Sequence, residues 1–325
     1  MVMKRIFLFA LLQAILAVPC AHAFPEKPIR IVVPFAPGGG TDLIARTLGQ
    51  VMAQELGQAV IIDNKAGGGT VIGTDAVAKS PADGYTLVMA TFANAVNPSL
   101  LAKLPYSYDK SFVPVMLVGL SPNVLVVRSD SPFKSVQDIV NAAKANPGKL
   151  SFASQGSGTS AHLAGELFKS LTKTFMIHIP YRGAGPALTD LLGGQVDMMF
   201  ATASAVGGFI ESGKLRALAV TTKDRSPVAR LAHVPSLAGS GVPELKAYAA
   251  DSWYGLFAPS GTPPDVIAKL NSAAKKAANS DIFKKRVADE GLVVSAGSPQ
   301  ELDSYFKGEV IRWRKLIQTA NIKAE

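Results

Sequence analysis

The first periodic stretch of the chain runs from Ile29 to Gly57. Apolar β-branched residues fill most of positions 29–33, which is typical of a strand covered on both faces in a parallel sheet. After a glycine turn, apolar residues recur at the spacing of one helix face, at Ile44, Leu48, Val51, Met52 and Leu56. The pattern predicts a helix that begins near Thr41 or Asp42 and ends before Gly57.

The same alternation of strand and helix continues along the chain. It predicts further strands at 60–63, 85–91, 124–127, 150–154, 176–180, 196–200, 215–220 and 253–258, and helices at 70–79, 136–145, 160–171, 186–192 and 264–278. A final helix carries Leu302, Tyr305, Phe306, Val310, Trp313 and Ile317 on one face. Residues 92–123 are less regular and are predicted to form a long excursion. The alternation indicates an α/β fold of βαβ units, with mostly parallel sheets flanked by helices.

The repetition of this pattern predicts two lobes of the same architecture. The final helix has no apolar partner of its own, so we expect the C-terminal part of the chain to return to the first lobe. The chain then crosses between lobes near residue 122 and again between about 221 and 253. We assign residues 24–122 and 225–325 to the first domain and residues 123–224 to the second.

The N-terminus has the layout of a secretory signal peptide. Lys4 and Arg5 precede an apolar run from Ile6 to Val18, and Ala21-His22-Ala23 follows. We expect residues 1–23 to be removed by cleavage after Ala23, which places the mature protein in the periplasm. A lipoprotein anchored through Cys20 is the alternative, although Pro19 stands where a small residue is needed.

The composition of the mature chain excludes several classes of function. Cys20 is the single cysteine of the sequence, so its removal excludes disulfides, thiol nucleophiles and thiolate metal sites. Without Lys4 and Arg5, 31 basic side chains face 24 acidic ones. The positive excess is dispersed rather than gathered into a stripe, so we expect no nucleic acid partner.

Glycine-rich loops follow several of the predicted strands. Gly-Gly-Gly-Thr occurs at 38–41 and again at 67–70, and the loops 154–159 and 181–185 have similar composition. Such loops present unpaired backbone N–H groups at the positive end of a helix dipole, which predicts an anion site. Arg182 is a candidate counter-ion. The alternative is that the glycines only make tight turns and Thr41 or Asp42 only caps a helix.

Catalytic motifs are incomplete. Residues Gly156–Ala161 match the dinucleotide fingerprint G-x-G-x-x-A, but the next strand ends in Tyr181-Arg182 without a ribose-binding acid. Gln155 replaces the first glycine of a nucleophile elbow around Ser157. His162, His178 and His233 lack metal-ligand spacing, and we expect His178 to be a core residue.

Three segments of the mature chain resemble one known family. Phe24–Gly39, Tyr181–Asp197 and Trp253–Pro259 are similar to the Bug family, the periplasmic solute-binding proteins of tripartite tricarboxylate transporters. The resemblance implies a two-domain Venus flytrap fold of the type II periplasmic binding proteins. It also implies no catalysis, no cofactor and no metal. A small carboxylate would be bound by Phe35–Asp42 and a facing loop at 154–159, and transferred by a monomer to the transporter's membrane subunits.

The glycine loops and the resemblance together predict a set of ligand-binding residues. These are Phe35, Ala36, Pro37, Gly38, Gly39, Thr41, Asp42, Gly69, Thr91, Ser154, Gly156, Ser157, Gly158, Thr159, Tyr181, Ala201 and Thr202. Phe35, Phe92, Tyr181 and Thr202 are candidates for selectivity. The ligand stays open among di- and tricarboxylates, amino acids and aromatic acids. An exported α/β enzyme acting on a carboxylated substrate and a sensor for a signalling partner are the alternatives.

Overall fold

The described elements form two sheets, each flanked by helices. A computed structural model describes residues 24–181, 183–226, 228–288 and 291–322, so the predicted signal peptide lies outside the described residues. No helix in these ranges combines the length and the apolar character needed to cross a membrane.

The first sheet has six strands in the order β11-β4-β10-β3-β1-β2. Its strands are β1 (Ile29–Val33), β2 (Val60–Asn64), β3 (Thr86–Thr91), β4 (Phe112–Ser121), β10 (Ser252–Pro259) and β11 (Val293–Val294). The helices around it are α1 (Gly40–Leu56), α2 (Val71–Ala78), α3 (Phe92–Leu100), α4 (Tyr108–Ser111), α9 (Pro264–Asn279), α10 (Asp281–Val287) and α11 (Pro299–Thr319).

The second sheet has five strands in the order β7-β6-β8-β5-β9. Its strands are β5 (Asn123–Arg128), β6 (Ser151–Ser154), β7 (Ile177–Pro180), β8 (Met198–Thr202) and β9 (Leu215–Val220). The helices around it are α5 (Val136–Ala145), α6 (Ser160–Thr172), α7 (Ala184–Leu192) and α8 (Ala203–Glu211).

The predicted α/β class with flanking helices is confirmed, but the two sheets are mixed rather than mostly parallel. The strands β1, β2 and β3 are parallel in one sheet, as are β6, β7 and β8 in the other. The antiparallel pairs involve β4, β5, β9, β10 and β11. Parallel neighbours need a crossover helix, whereas β5 and β10 enter their sheets directly from the other half of the molecule and run in the opposite direction.

The prediction of an irregular excursion at 92–123 was wrong for most of its length. Helix α3 and the ten-residue strand β4 lie there. Pro98 inside α3 and Pro114 inside β4 obscured both patterns. Pro114 is tolerated because it pairs with Phe257 beside an irregularity in the register of β4 and β10.

The segment between β9 and β10 packs on the second sheet. Leu231 and Val234 belong to the core on one side of that sheet. The Tyr248 hydroxyl donates a hydrogen bond to the Ala164 carbonyl of α6 at 2.8 Å. Strand β10 then begins at Ser252, between β3 and β4 of the first sheet.

The final helix α11 returns to the first sheet. Its Trp313 ring meets the ring of Phe92 in α3 edge to face, with centroids 4.8 Å apart. Its Phe306 ring packs against Trp253 of β10 at 5.8 Å. These aromatic contacts bury the apolar face that the sequence pattern identified on this helix.

Candidate functional site

A cleft of about 440 Å³ lies between the two sheets, at the carboxyl ends of β1, β3, β6 and β8. Six of the predicted ligand-binding residues line it: Phe35, Gly39, Thr41, Thr91, Thr159 and Thr202. They come from both halves of the molecule. Ligands of open α/β sheets bind outside the carboxyl ends of the strands, so this cleft is the candidate binding site.

Five helices of the described part of the chain start at this cleft. Their N-cap residues are Gly39 for α1, Thr91 for α3, Thr159 for α6, Gly183 for α7 and Thr202 for α8, and each of these residues lines the cleft. A helix N-terminus carries about half a positive charge and unpaired N–H groups. Their convergence makes the cleft electropositive through the backbone alone.

The five helix starts differ in how they are capped. The Thr159 side chain accepts a hydrogen bond from the His162 N–H at 3.3 Å, and the Asn94 side chain accepts from the Thr91 N–H at 2.8 Å. Among the described residues, no side chain caps α1, α7 or α8. The first turns of these three helices are therefore the most available for an anion.

The described residues that line the cleft carry no charged side chain. They are Phe, Gly, Thr, Ala, Gln, Ser and Tyr residues. The candidate counter-ion Arg182 lies outside the described residues. An anion in this cleft would therefore meet hydroxyl groups and helix termini together with the apolar surfaces of residues such as Phe35 and Ala93.

The Asp42 carboxylate stabilises the first glycine turn through hydrogen bonds. Its Oδ2 accepts hydrogen bonds from the Gly38 N–H and the Arg46 Nε, each at 2.9 Å, and its Oδ1 accepts from Asn64 Nδ2 at 2.9 Å. Asn64 Nδ2 also donates to the Phe35 carbonyl at 3.1 Å. Burial acts to raise the pKa of Asp42, but these hydrogen bonds outweigh it and lower the pKa. Asp42 thus shapes the turn, and its oxygens face the protein's own donors.

Replacing Asp42 by alanine is expected to lower the free energy of unfolding by about 1–3 kcal/mol, because Gly38, Arg46 and Asn64 lose hydrogen bonds to a charged acceptor. Carboxylate affinity should fall with it, since the turn carries Gly39 and Thr41 into the cleft. Urea unfolding measures the change. Arg46→Ala is the matched control and should cost less, because half of the Arg46 side chain is exposed and Asp42 keeps its hydrogen bonds from Gly38 and Asn64. Equal losses in the two variants would contradict the assignment.

The facing loop at 154–159 is held by its own polar groups. The Ser154 Oγ accepts a hydrogen bond from the Gly156 N–H at 3.2 Å, and the Thr159 Oγ1 donates to the Gly156 carbonyl at 2.7 Å. Gly156 and Gly158 have φ values of 139° and 79°, which favour glycine. A Cβ at position 158 would stand 2.8 Å from the Leu100 Cδ2 of α3, so this loop touches the first sheet's side of the molecule.

The structure brings the remaining predicted residues near the cleft rather than into its lining. Ala36, Pro37 and Gly38 are on the exposed part of the first turn, and Ser154, Gly156, Ser157 and Gly158 are in the facing loop. The Gly69 carbonyl accepts a hydrogen bond from Asn97, and Ala201 is a core residue. The Tyr181 hydroxyl donates to Asp190 at 2.7 Å, and burial and this contact raise the pKa of Tyr181 to about 12.

Sequence reasoning missed several lining residues. Ala93, Ser160, Ser204, Ala205, Ser252 and Tyr254 all line the cleft. Ser204 and Ala205 belong to α8, a helix that the sequence pattern did not predict. The signal was Thr202 at the end of a strand, because a threonine followed by a short apolar run is a helix start. Phe92, a candidate for selectivity, also lines the cleft, although it is only 2% exposed and its ring packs against Trp313.

His, Asp and Glu side chains are dispersed in the described ranges. No group of three His, Asp or Glu side chains there could hold a metal ion. Asp197 Oδ2 accepts hydrogen bonds from the Ser151 N–H at 2.8 Å and the Ser151 Oγ at 3.0 Å. It therefore links β6 to the turn before β8.

Comparison with known proteins agrees with the resemblance seen in the sequence. A family model described as the tripartite tricarboxylate transporter family receptor, TctC, matches residues 44–322. Protein BugT of Bordetella pertussis is 38% identical over 318 residues, which cover 97% of this chain and 96% of BugT.

Two similar solved structures are of proteins with a carboxylate, adipate in one and malate in the other. R. palustris Rpa4515 with adipate is 34% identical in sequence and has a TM-score of 0.82. The match covers 93% of this chain and 100% of the Rpa4515 chain. MatC (Rpa3494) from Rhodopseudomonas palustris with bound malate is 32% identical, covers 90% of this chain and 100% of its own, and has a TM-score of 0.78. The chain belongs to the TctC family of tripartite tricarboxylate transporter receptors.

Proposed function

We propose that this protein captures a small carboxylated solute in the cleft between its two sheets and delivers it to the membrane subunits of a tripartite tricarboxylate-type transporter. The observation that carries the proposal is the convergence of five helix N-termini on one cleft whose described lining has no charged side chain. The adipate and malate in the two related structures support the choice of a carboxylate.

Tight binding of a carboxylate requires hydrogen-bond donors from both halves of the molecule. Removing a carboxylate from water costs several kcal/mol. One helix terminus returns about 0.3–2 kcal/mol, and one hydrogen bond to a charged group about 1.5–3 kcal/mol. Several donors are needed to reach the roughly −8 kcal/mol of micromolar affinity. Because the donors come from both sheets, we propose that closure of the two lobes accompanies binding.

We also propose the division into domains, with one change from the expectation. Domain 1 contains residues 24–122 and domain 2 begins at residue 123. Because Leu231, Val234 and Tyr248 pack on the second sheet, we place the second crossover at Asp251 instead of residue 225. Domain 1 then resumes with β10. The ligand-binding residues predicted from the sequence remain part of this proposal.

Export and partners follow the family. We propose that residues 1–23 are cleaved and that the mature chain acts in the periplasm as a monomer without catalytic activity. A sensor role remains the second candidate within the same binding function. An exported enzyme would need a general base beside a hydroxyl nucleophile in the cleft, and the described lining has hydroxyl groups but no His, Asp, Glu or Lys side chain.

A thermal shift screen tests the ligand class. Malate, adipate, citrate, aspartate and benzoate are compared with glucose as the neutral control. We expect at least one acid to raise the melting temperature, because a ligand at one hundred times its Kd stabilises the native state by about 2.7 kcal/mol. Chromatography of the incubated acid should show no product. A shift with glucose alone, or a product that accumulates with time, would contradict the proposal.

A further inference from the structure

Two histidine rings are stacked beneath the facing loop at 154–159. His162 of α6 and His178 of β7 have ring centroids 4.0 Å apart and an interplanar angle of 10°. The Phe152 ring stacks on His178 at 4.8 Å. His162 is 4% exposed. The pair lies on the inner side of the loop, and His162 does not belong to the cleft lining.

Each ring contacts the loop through a hydrogen bond. The Gly158 N–H donates to His162 Nδ1 at 3.1 Å. His178 Nε2 lies 2.7 Å from the Ser154 Oγ, which also binds the Gly156 N–H. Because a ring nitrogen that accepts a hydrogen bond cannot carry a proton, the contact with Gly158 requires neutral His162 with its proton on Nε2.

The groups around His162 allow this state. On α6, Glu166 Oε1 lies 4.0 Å from His162 Nε2 and 2.6 Å from Lys169 Nζ. On β7, His178 faces the ring from the other element. Burial and the Lys169 charge lower the pKa of His162 to about 4. Burial, His162 and Lys169 lower the pKa of His178 to about 3. At neutral pH both rings are uncharged.

We propose that His162 is a positioning residue for ligand binding, whose Nδ1 holds Gly158 and thereby keeps Gln155, Thr159 and Ser160 at the cleft. This inference rests on the proposed function for its effect on affinity, but its structural part does not. Gly158 has a φ of 79° and lies against Leu100. A loop that loses the hydrogen bond between Gly158 and His162 therefore also loses its contact with the opposite half of the molecule.

The alternative is that His162 only fills space in the core. Two substitutions separate the possibilities. In His162→Asn the side-chain oxygen lies near the position of Nδ1 and can accept from Gly158, whereas His162→Leu fills the space without an acceptor. If His162→Leu does not fold, His162→Gln takes its place in the experiment, because the acceptor of glutamine lies farther along the side chain than Nδ1 of histidine. His233→Leu, at an exposed position, is the control.

The first experiment uses the protein without ligand. Nitrogen NMR of the imidazole should show Nδ1 unprotonated at pH 7, and hydrogen exchange should show a protected Gly158 amide in the wild type, His162→Asn and His233→Leu. The amide should exchange at least about tenfold faster in His162→Leu, because a buried donor without an acceptor is costly. The Gly158 signal should titrate toward pH 4 in the wild type and not in His162→Asn. A proton on Nδ1, or equal protection in all variants, overturns the proposal.

The second experiment measures binding of malate and adipate by calorimetry to the same proteins. We expect His162→Leu to bind at least about tenfold more weakly and His162→Asn to stay close to the wild type. Equal affinity of the leucine variant and the wild type overturns the role in binding. If the wild type binds neither acid, the proposed ligand class is in doubt, while the exchange and NMR results still decide whether His162 holds the loop.

Discussion

Replacing Ser204 by aspartate is expected to abolish carboxylate binding and to stabilise the empty protein. Ser204 is in the first turn of α8 and lines the cleft. A carboxylate there takes the place of the ligand's charge at a helix start that no described side chain caps. First-turn acids stabilise a helix by about 0.3–1 kcal/mol, so the empty protein should unfold at a higher temperature.

The loss of binding should be large because two negative charges would share one site. At a separation of about 4 Å and an effective dielectric constant of about 20, their repulsion is about 4 kcal/mol, so we expect affinity to fall at least about a hundredfold. Calorimetry with malate and adipate measures the affinity, and calorimetric unfolding measures the stability.

Ser204→Asn is the matched control for Ser204→Asp. It has almost the same size and shape as the aspartate variant and no charge, so it should bind within about tenfold of the wild type. Comparable affinity of the aspartate and asparagine variants would show that the ligand's carboxylate lies elsewhere in the cleft.

The first half of the site could be predicted because its signals are local. A run of β-branched residues, three glycines and an apolar helix face all occur between Ile29 and Gly57. Local chain chemistry alone determines that α1 starts at Gly40 after an uncapped turn. The strand ends at Thr91 and Ser154 were predicted for the same reason, whereas β8 ends at Thr202, two residues beyond the predicted end.

The other half depends on chain segments that are distant in sequence. Tyr254 and Ser252 reach the cleft only because β10 inserts between β3 and β4. No local pattern in the sequence indicates this strand pairing. Helices α3 and α8, each nine residues long, were missed because Pro98 interrupts the pattern of α3 and Gly207-Gly208 that of α8. Such short helices are stabilised by tertiary packing rather than by their own propensity.

The role of Asp42 illustrates a further limit of sequence reasoning. An acidic residue that follows a glycine turn was assigned to the ligand site from its position. In the structure its two oxygens accept hydrogen bonds from Gly38, Arg46 and Asn64. Asn64 ends the neighbouring strand β2, so only the parallel pairing of β1 and β2 shows that this contact exists.

Asp251, at the proposed crossover between the lobes, is expected to make the stability of the protein depend on pH. Asp251 joins Ala250, whose N–H donates to the Thr221 carbonyl at 2.9 Å, to β10 of the first sheet. Its Oδ1 is buried and has no hydrogen-bond partner among the described residues. Burial and the charge of Glu309 raise the pKa of Asp251 to about 7, against the opposing effect of Arg312.

The direction of this pH effect follows from the number of protons that Asp251 binds in the folded and in the unfolded protein. Between the ordinary aspartate pKa of 3.8 and the folded pKa of about 7, the folded protein holds a proton on Asp251 that the unfolded chain has lost. The contribution of Asp251 therefore declines as pH rises through this range. A shift of three pH units corresponds to at most about 4 kcal/mol of unfolding free energy.

Asp251→Asn should remove this dependence. Relative to the wild type, the variant should gain about 2–3 kcal/mol of unfolding free energy between pH 5 and pH 8, as measured by urea unfolding at each pH. The buried histidines have lowered pKa values and change stability in the opposite direction, but they contribute equally to both proteins and cancel in the difference. Asp224→Asn, at an exposed position, is the control and should show no pH-dependent difference. A constant difference between Asp251→Asn and the wild type from pH 5 to pH 8 would mean that Asp251 is already ionised at pH 5 in the folded protein.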